Sequence, residues 1–443
     1  MTAIPARWST LKPHAEQIRL WTSRTRFCVV PAGRRSGKTE IAKRRLITAA
    51  ISYDRSDTGL FVAAAPTQGQ AKRIFWDDLK RMTPPNWIVR IAESDPQTIF
   101  LVNGARIMVS GMDQPARIEG DPLDGIVLDE YGNMKAKVWT ENVRPALSTL
   151  GRPGWAWFTG VPEGRNHYYD LAQMAKDPTR EDWDLFHWVS ADILDPAEIA
   201  SARRDLDELT FQQEYEASFV VFAGQAYYAF DEDVHAAERL EYDPRLPLVF
   251  CFDFNVSPGV AVVCQEQRYT GSRAGVEDWI TAVIGEVWIP RNSNTLAVCR
   301  KLADAWGHHE GDVYLYGDPT GGNRGSAKLS GSDWTIIEEF LGGVFPGRIR
   351  SRVKRKDTFE RQRINATNSR LKTTDGTIRM LVDRSKAPHV VRDYLEVCVL
   401  EGGCGEIDKH AKADLTHVSD ALGYYLALEF PIQVEGHAGA FYV

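Results

Sequence analysis

The segment Ala32-Gly-Arg-Arg-Ser-Gly-Lys-Thr39 constrains the fold of this chain more than any other feature. It follows a short apolar run typical of a buried strand, residues 26–31, and leads into a helical stretch that extends to residue 50. The segment fits the pattern G-x-x-x-x-G-K-[ST], except that Ala32 stands where the first glycine usually stands. A loop of this kind cradles phosphate oxygens with backbone N–H groups and a helix N-terminus. We therefore predict a nucleotide-binding α/β domain in the first half of the chain.

The side chains of this loop can be assigned roles from the chemistry of phosphoryl transfer. The expected nucleotide-binding positions are Gly33, Arg35, Ser36, Gly37, Lys38 and Thr39. The ammonium group of Lys38 would reach the β- and γ-phosphates of ATP, and the Thr39 hydroxyl would hold Mg²⁺. The loop also contains two adjacent arginines, Arg34 and Arg35, which phosphate binding alone does not require. We predict that one of them, Arg34, bridges the phosphates as negative charge develops.

A second, acidic segment completes this expected site. The run Ile126-Val-Leu-Asp-Glu130 ends a predicted strand in two acids. Asp129 is expected to hold Mg²⁺ through water, and Glu130 to orient or deprotonate the attacking water. Arg117 is a candidate for a finger that reaches the active site of a neighbouring subunit, although a structural ion pair explains this residue equally well.

Three aspartates in the second half of the chain lie where apolar runs meet turns or helices. Asp253 ends the run Leu-Val-Phe-Cys-Phe-Asp, Asp318 follows Val-Tyr-Leu-Tyr-Gly, and Asp420 opens an apolar helix. Hydrolysis of a phosphodiester by two metal ions needs carboxylates clustered around ions about 3.5–4 Å apart. An all-oxygen ligand set of this kind suits Mg²⁺ or Mn²⁺. We therefore predict that the three aspartates hold two such ions and catalyse nuclease chemistry.

Two further residues precede Asp420 on the same expected helix. Asp414 is a candidate for an additional metal ligand, but a helix N-cap explains it about as well. His417 lies three residues before Asp420 and thus near the same helix face. It is a candidate for a proton shuttle or a phosphate contact.

The order of predicted elements divides the chain into two α/β domains. Strand-like runs alternate with helical stretches in the first half, which is typical of a parallel sheet. Asn103-Gly104 suits a type I′ hairpin turn within that half. We expect a P-loop ATPase domain of the ASCE type at residues 1–222, a linker at 223–247, a second domain with a mixed sheet at 248–430 and a tail at 431–443.

Composition narrows the class of protein. Charged residues make up 26% and apolar residues 43% of the 443 positions, as in a globular protein. No apolar run reaches the roughly 18 residues that suggest a membrane span, and the N-terminus lacks the apolar core of a signal peptide. Six cysteines without a C-x-x-C pair are expected as buried thiols in a reducing compartment. We therefore expect a cytoplasmic protein that does not enter a membrane.

The charge of the chain is unevenly distributed. A net charge of −7 argues against a uniformly basic coat for nucleic acid. The segment 347–372 is an exception, because it contains ten Lys or Arg and two acids and thus has a local charge of +8. Such a segment is able to follow a phosphate backbone, and a solvated helix face is the alternative.

Several further segments occur in an order that is typical of one family. They are Ala65-Pro-Thr-Gln-Gly-Gln-Ala-Lys-Arg-Ile-Phe-Trp76, Leu128-Asp-Glu-Tyr131, Phe211-Gln-Gln-Glu-Tyr-Glu-Ala-Ser-Phe219 and Gly224-Gln-Ala-Tyr-Tyr-Ala-Phe230. Together with the P-loop and the three aspartates, they cover nearly the whole chain, and they resemble the large terminase subunit of tailed bacteriophages. The resemblance implies an N-terminal ATPase that drives DNA into a procapsid and a C-terminal RNase H-like nuclease that cuts concatemeric DNA.

The resemblance also implies two more site residues. Gln17 resembles the family's adenine-contacting glutamine upstream of the P-loop, and Thr159 lies in a segment that resembles its coupling motif. A glutamine on a helix surface and a strand-end turn are the alternatives. The expected cofactors are ATP with Mg²⁺ at the first site and two Mg²⁺ or Mn²⁺ ions at the second.

The resemblance further implies the setting in which the chain acts. The expected partners are double-stranded DNA, the portal protein of the procapsid, the small terminase subunit and further copies of this chain in a ring. The chain would be virus-encoded and would act in the cytoplasm of the host cell.

Two other functions stay open at this point. If the second domain binds DNA without cutting it, the chain is a DNA translocase or helicase. A weaker alternative is an ATPase-nuclease of host DNA repair or transposition. Metal-dependent cleavage of plasmid DNA would separate the nuclease from the translocase, and stimulation by a portal would argue against the repair enzyme.

Overall fold

The computed structural model describes residues 13–55, 57–220, 224–254, 257–319, 332–354, 358–400, 406–408 and 415–432. These residues divide into two compact units. The first unit contains the described chain up to Ile199 together with Phe211–Val221. The second contains Ala200–Thr210 and the chain that follows Val221. The backbone therefore leaves the first unit, returns to it for a short segment and leaves it again.

The first unit is built from short strands and helices. Its strands are β1 (Phe27–Pro31), β2 (Leu60–Ala65), β3 (Ile88–Ala92), β4 (Thr98–Leu101), β5 (Arg106–Gly111), β6 (Gly125–Asp129), β7 (Ser148–Thr149), β8 (Arg152–Pro153), β9 (Trp155–Gly160) and β10 (Trp183–Leu185). Its helices are α1 (Ala15–Thr22), α2 (Lys38–Ile51), α3 (Gln68–Ala71), α4 (Asp77–Met82), α5 (Arg144–Ala146) and α6 (His167–Met174). Two further helices, α7 (Pro196–Asp205) and α8 (Glu208–Glu214), each contain residues of both units. Lys72–Trp76 and Val138–Val143 are π-helical, and 3₁₀ turns occur at Pro85–Trp87, Pro115–Ile118, Tyr131–Asn133 and Ser190–Asp192.

Eight of the described strands form one sheet in the order β10-β1-β9-β6-β2-β5-β4-β3. The strands from β10 to β5 in this order pair in parallel, and β4 is antiparallel to both β5 and β3. The predicted parallel sheet is therefore confirmed. Strand β9 lies between β1, which leads into the P-loop, and β6, which ends in the acidic segment.

The central strands of this sheet are buried on both faces, which explains their continuous apolar sequences. Successive side chains of a strand point to opposite faces, so Val29 of β1 enters one core and Val30 enters the other. Ile41 and Leu46 of α2 cover the second of these cores. Burial of an unpaired polar group would be costly, and the polar candidates accordingly lie at the strand ends, where the chain leaves the cores.

Strands β4 and β5 form the expected hairpin, but its turn is not of type I′. Gly104 has a φ of 83°, whereas Asn103 is absent from the described non-glycine residues with positive φ. A type I′ turn needs a positive φ at both central residues. The side-chain amide of Asn103 instead donates to the carbonyls of Ala50 and Tyr53. The turn is thereby attached to the end of α2.

The second unit contains a mixed sheet with helices. Its strands are β11 (Ala236–Ala237), β12 (Leu248–Asp253), β13 (Gly259–Arg268), β14 (Val276–Ile289), β15 (Val313–Gly317), β16 (Ile349–Ser351) and β17 (Ile378–Asp383). Its helices are α9 (Glu232–His235), α10 (Thr295–Trp306), α11 (Asp333–Val344), α12 (Glu360–Leu371), α13 (Pro388–Glu396) and α14 (His417–Glu429).

The described strands of the second sheet lie in the order β11-β17-β14-β13-β12-β15-β16. The pairs β12·β13 and β13·β14 are antiparallel, whereas β12·β15, β15·β16, β14·β17 and β11·β17 are parallel. The expected mixed sheet is therefore confirmed. The stretch 223–247, which we expected to be a linker, contains α9 and β11, and β11 belongs to this sheet. Among the described residues, no helix has the length and apolarity needed to cross a membrane.

Candidate functional site

The P-loop joins β1 to α2, and the geometry of its backbone explains why two of its residues are glycines. A Cβ atom at Gly33 would lie 2.6 Å from the carbonyl oxygen of Tyr215. Gly37 has a φ of 79°, a left-handed conformation that glycine adopts without strain. The completely buried Ala32 donates its N–H to the carbonyl of Gly160, so the departure from glycine is accommodated inside the sheet. The first N–H groups of α2 lack partners within the helix and are suited to bind an anion.

Polar side chains from three segments meet at the carboxyl ends of the central strands. Thr39 Oγ1 donates to Asp129 Oδ2 at 3.0 Å, and Thr159 Oγ1 donates to Asp129 Oδ1 at 2.5 Å. Lys38 Nζ lies 3.4 Å from Glu130 Oε1. Asp129 ends β6 and is opposite Thr159 of β9 in register. The parallel sheet itself therefore brings these groups together.

Asp129 lies in a surrounding that favours a bound cation. It is only 1% exposed. Burial, together with the negative charge of Glu130, raises the pKa of Asp129 to about 6, although Lys38 and two threonine hydroxyls oppose this shift. A divalent cation would stabilise the carboxylate form of such a residue. Thr39 and Asp129 are thus the residues that could hold Mg²⁺, and that assignment stays a prediction.

Glu130 follows β6 in a strained backbone conformation. Its φ is 53°, in the left-handed region that residues other than glycine seldom adopt. Its Oε2 accepts a hydrogen bond from the N–H of Val161 at 3.4 Å, while its Oε1 faces Lys38. The turn after β6 therefore directs the carboxylate toward the P-loop. From there it could orient a water molecule against a γ-phosphate.

Gln17 of α1 lies against the P-loop and is completely buried. Its Nε2 donates to the carbonyl of Ser36 at 3.0 Å, and Trp188 Nε1 donates to the same oxygen at 3.0 Å. The Oε1 of Gln17 has no hydrogen-bond partner among the described residues. A buried acceptor without a donor is costly, so this oxygen suits a ligand donor such as the amino group of adenine. The contact to adenine stays a prediction.

The two arginines of the P-loop have different surroundings. Arg34 Nε lies 2.7 Å from Glu214 Oε2, and the side chain of Glu214 is 9% exposed. Arg35 is exposed and has a φ of 56°. Arg34 is therefore held by an acid of its own chain, whereas the side chain of Arg35 reaches solvent. Whether either arginine bridges phosphates stays a prediction.

Arg117 lies in the 3₁₀ turn Pro115–Ile118, beyond the carboxyl end of β5. Its Nη1 lies 2.9 Å from Asp95 Oδ2 and donates to Gln68 Oε1 at 3.4 Å. A structural ion pair of this kind was the alternative to the finger role when Arg117 was considered from sequence. A finger role in a neighbouring subunit requires the pair with Asp95 to open, and that role stays a prediction.

Asp253 and Asp318 leave the second sheet at neighbouring positions. Strands β12 and β15 pair in parallel, with Phe252 opposite Gly317. Asp253 is the last residue of β12, and Asp318 directly follows Gly317. The carboxyl ends of parallel neighbours meet at one edge of a sheet. The fold thus brings together two aspartates that are 65 residues apart in the sequence.

Helix α14 adds a histidine to this edge. The helix packs against β12 and β15 and begins at His417. His417 Nδ1 lies 3.1 Å from Asp253 Oδ2. Asp420, one turn later, accepts a hydrogen bond at Oδ1 from Arg363 Nη2 at 3.1 Å, and the two side chains are 13% and 7% exposed. The structure therefore joins His417 to Asp253, and it joins Asp420 to Arg363.

A buried acid holds the start of α14. Asp393 of α13 accepts hydrogen bonds at Oδ2 from the N–H and the hydroxyl of Ser419, at 3.1 and 2.9 Å. Burial raises the pKa of Asp393 to about 6. Thr416 precedes the helix with a φ of 79°, which a β-branched residue rarely adopts. These contacts fix the first turn of α14, and with it the positions of His417 and Asp420.

The donor groups at this edge are of the kinds that divalent ions accept. Carboxylate oxygens suit both Mg²⁺ and Mn²⁺. Within the described residues, however, no group of three or more His, Cys, Asp or Glu side chains is arranged to hold a metal ion. Asp414 lies outside the described residues, as do positions 255–256 and 320–331, which come after β12 and β15 in the sequence. Metal binding by the three aspartates and Asp414 stays a prediction.

The basic segment 347–372 is not one uniform surface. Arg352 and Lys354 are exposed. Arg370 of α12, by contrast, is largely buried and lies 3.2 Å from Glu266. Arg355 lies outside the described residues. Part of the local charge is therefore balanced inside the second unit, and the exposed residues Arg352 and Lys354 precede α12.

Sequence reasoning did not find three residues that hold the predicted site residues, namely Glu214, Arg363 and Asp393. Glu214 lies in the segment 211–219, which resembles the terminase family but to which no role was assigned from sequence. Arg363 was one of the ten basic residues of the segment 347–372, and no separate role was assigned to it. For Asp393 the sequence offers no signal, because an acid on an amphipathic helix is ordinarily exposed.

Known proteins resemble this chain over most of its length. Residues 30–232 match the family model described as Terminase large subunit, T4likevirus-type, N-terminal. The large terminase subunit of Thermus phage G20c is 24% identical over 357 residues, which cover 70% of this chain and 69% of that protein. That of Escherichia phage T5 is 26% identical over 238 residues, 52% of each chain. The solved large terminase of a thermophilic bacteriophage aligns with a TM-score of 0.62 at 17% identity and covers 94% of this chain and 99% of that one. Residues 30–232 therefore match a large-terminase family model, and the chain is similar to large terminase subunits of bacteriophages, as its motifs indicated.

Proposed function

We propose that this chain is the motor and nuclease subunit of a viral DNA-packaging complex. It hydrolyses ATP to move double-stranded DNA into a procapsid, and it cleaves concatemeric DNA by two-metal phosphodiester hydrolysis. The observation that carries the proposal is the meeting of Lys38, Thr39, Asp129 and Glu130 at one edge of a parallel sheet. The large terminase of the same thermophilic bacteriophage has been solved in complex with ATP-gamma-S, which supports nucleotide binding by a protein of this fold.

The motor chemistry follows from the positions of these groups. Lys38 binds the β- and γ-phosphates, while Thr39 and Asp129 hold Mg²⁺, which neutralises phosphate charge. Glu130 orients the attacking water. Arg34 meets the charge that develops on the transferred phosphoryl group. Thr159 is hydrogen-bonded to Asp129, so the state of the phosphates is communicated to β9.

The nuclease chemistry uses the second sheet. Asp253, Asp318 and Asp420, with Asp414 as a further ligand, would hold two Mg²⁺ or Mn²⁺ ions, and such ions would supply an activated water and stabilise the leaving oxygen. His417 lies against Asp253 and is placed to accept or donate a proton. Asp420 must exchange Arg363 for the metal. That exchange is feasible only if the cation replaces the charge of the guanidinium, since an unpaired buried charge is costly.

The partners follow from the proposed activity. The portal protein of the procapsid, the small terminase subunit and further copies of this chain in a ring complete the complex, which acts on DNA in the cytoplasm of the host cell. The exposed arginine and lysine before α12 follow the DNA phosphates. Gln17 accounts for a preference for adenine nucleotides.

A second candidate function is a DNA translocase whose second domain binds DNA without cutting it. Two observations favour it. Asp420 is paired with Arg363, and no three-donor group arranged for a metal occurs among the described residues. In this case the aspartates of the second sheet serve the fold rather than a reaction.

The deciding experiment measures both activities on the purified full chain. We expect ATP turnover that increases with added double-stranded DNA, and cleavage of supercoiled plasmid in Mn²⁺ that stops when the metal is chelated. ATP turnover without any metal-dependent cleavage would select the translocase. Absence of ATP turnover in the presence of DNA and Mg²⁺ would reject the proposed motor.

A further inference from the structure

The segment Phe211–Val221 belongs to the first unit although it is far from the P-loop in the sequence. It contains the motif Phe211-Gln-Gln-Glu-Tyr-Glu-Ala-Ser-Phe219, which resembles the terminase family and to which the proposed activities assign no role. The structure places the middle of this motif, Glu214 and Tyr215, directly against the P-loop.

Glu214 holds Arg34 at two points. The backbone N–H of Arg34 donates to the Glu214 carbonyl at 2.7 Å. The side-chain Nε of Arg34 donates to Glu214 Oε2, also at 2.7 Å. The other carboxylate oxygen, Oε1, accepts from Gln213 Nε2 at 3.2 Å. The orientation of the carboxylate is therefore fixed from both sides, and it fixes the arginine in turn.

The neighbouring residues attach the same part of the P-loop to the motif. The N–H of Ser190 donates to the carbonyl of Tyr215 at 2.7 Å, and its hydroxyl donates to the carbonyl of Arg34 at 2.7 Å. Gly33 passes so close to Tyr215 that a Cβ atom would not fit there. The backbone on either side of the Arg34 side chain is thus held in place.

The bond through Nε leaves the phosphate-binding end of the arginine available. In the described part of the chain, the terminal nitrogens of Arg34 form no hydrogen bond. A guanidinium binds phosphate best through two parallel N–H groups at its end. A carboxylate on Nε fixes the plane of the group without occupying those donors.

The burial of Glu214 indicates that the pair is more than a surface ion pair. The side chain of Glu214 is 9% exposed and that of Arg34 is 29% exposed. Desolvating a carboxylate is costly, and pairs of this kind add little net stability compared with apolar contacts. A role in setting the geometry of a charged group explains the arrangement better than a role in stabilising the fold.

We propose that Glu214 is a positioning residue that orients Arg34 toward the phosphate which is transferred. The inference rests on the proposed ATPase function and assigns a role to the motif that contains Glu214. Arg34 meets charge that is larger in the transition state than in bound ATP. Loss of its orientation therefore lowers kcat more than it changes KM for ATP.

The test compares variants of the full chain in a DNA-stimulated ATPase assay. Glu214→Gln keeps the shape of the side chain and removes its charge. Glu181→Gln, at an exposed glutamate of the same unit, is the matched control. We expect Glu214→Gln to lower kcat by on the order of 10- to 100-fold, with KM for ATP changed much less. The control should retain the wild-type kcat.

A double variant separates positioning from a merely structural role. If Glu214 acts through Arg34, the variant Arg34→Ala/Glu214→Gln should turn over ATP no more slowly than Arg34→Ala alone. Additive losses, or a wild-type kcat in Glu214→Gln, would overturn the inference. If Glu214→Gln unfolds at the assay temperature, Glu214→Asp takes its place, because it keeps the charge but shortens the reach. A wild-type kcat in a folded Glu214→Asp would also overturn it.

Failure of the proposed ATPase function would give different results from failure of the positioning role of Glu214. If the wild-type chain does not turn over ATP, or if Lys38→Ala turns it over normally, the ATPase assignment falls and the inference falls with it. If the wild type is active and Lys38→Ala is inactive, the effect of Glu214→Gln tests the inference alone.

Discussion

The two candidate sites differ in how completely the fold assembles them. At the first sheet, the P-loop and the ends of β6 and β9 bring a lysine, two threonines and two acids into mutual contact. At the second sheet, β12 and β15 bring two aspartates to neighbouring strand ends, but the third aspartate is paired with Arg363 on α12. The side chains of the first site are in contact before a ligand binds, whereas the proposed metal binding at the second site requires Asp420 to exchange its partner.

The difference has a physical cause. Neighbouring strands of a parallel sheet end at the same edge, so residues at those ends meet whenever the sheet forms. A residue on a helix meets them only if the helix is held in place, which Asp393 and Thr416 accomplish for α14. A preassembled site suits repeated ATP turnover, since little reorganisation is needed at each cycle. If the second site binds metal as proposed, its pairing of Asp420 with Arg363 must first open.

The largest expected effect concerns the preassembled site. Lys38→Ala should lower ATP turnover by on the order of 10³-fold or more, because the phosphates lose their main cationic partner. Glu130→Gln should retain ATP binding and stop hydrolysis, since the water loses the group that orients it. Both variants should cleave plasmid DNA in Mn²⁺ at the wild-type rate. Substantial ATP turnover in both would show that this cluster is not catalytic.

A smaller loss is expected at the second site. Asp253→Asn should lower Mn²⁺-dependent cleavage by roughly 10²- to 10³-fold, because a metal ligand contributes several kcal/mol of charge stabilisation. DNA-stimulated ATP turnover should be unchanged. Asp278→Asn, at an aspartate of the same unit that is 82% exposed, is the matched control. Cleavage by Asp253→Asn at the rate of this control would favour the translocase.

The pair between Arg363 and Asp420 offers a stability test of the proposed exchange. Arg363→Gln should lower the free energy of unfolding of the second unit by about 3 kcal/mol in chelator, because the buried carboxylate of Asp420 loses its cation. Mn²⁺ should restore more stability to this variant than to the wild type. Arg268→Gln removes an exposed pair with Asp278 at 3.5 Å and should cost less than about 1 kcal/mol in urea unfolding. Equal effects of Mn²⁺ on the variant and the wild type would argue against metal binding by Asp420.

The smallest effect is expected from the exposed basic segment. Replacement of Arg352, Lys354 and Arg355 by Ala should weaken binding to all DNA sequences alike and should reduce the slope of log affinity against log salt by up to about 3. Arg268→Ala, at an exposed arginine of the same unit, should leave the slope unchanged. An unchanged slope in the triple variant would mean that these residues do not contact DNA phosphates.

Local sequence patterns were enough to predict two α/β domains and to group the residues of the first site. The P-loop is contiguous in sequence, so its residues are recognised together. The apolar run that ends in Asp129 and the apolar runs before it predict buried parallel strands, and neighbouring parallel strands end at one edge of a sheet. Local pattern and sheet geometry together therefore predict that Asp129 lies near the P-loop. The same reasoning identified Asp253 and Asp318 as residues at strand ends. It did not predict the turn at Asn103, because the hydrogen bonds of that side chain to the end of α2 decide its geometry.

The pairing of buried charges, by contrast, could be seen only in the folded chain. Arg34 and Glu214 are 180 residues apart in sequence, and Arg363 and Asp420 are 57 residues apart. A charged residue read from sequence is expected at the surface, where an ion pair is worth little and any of many partners would serve. Burial makes the choice of partner costly to change, and burial is a property of the packed chain, which no local pattern encodes.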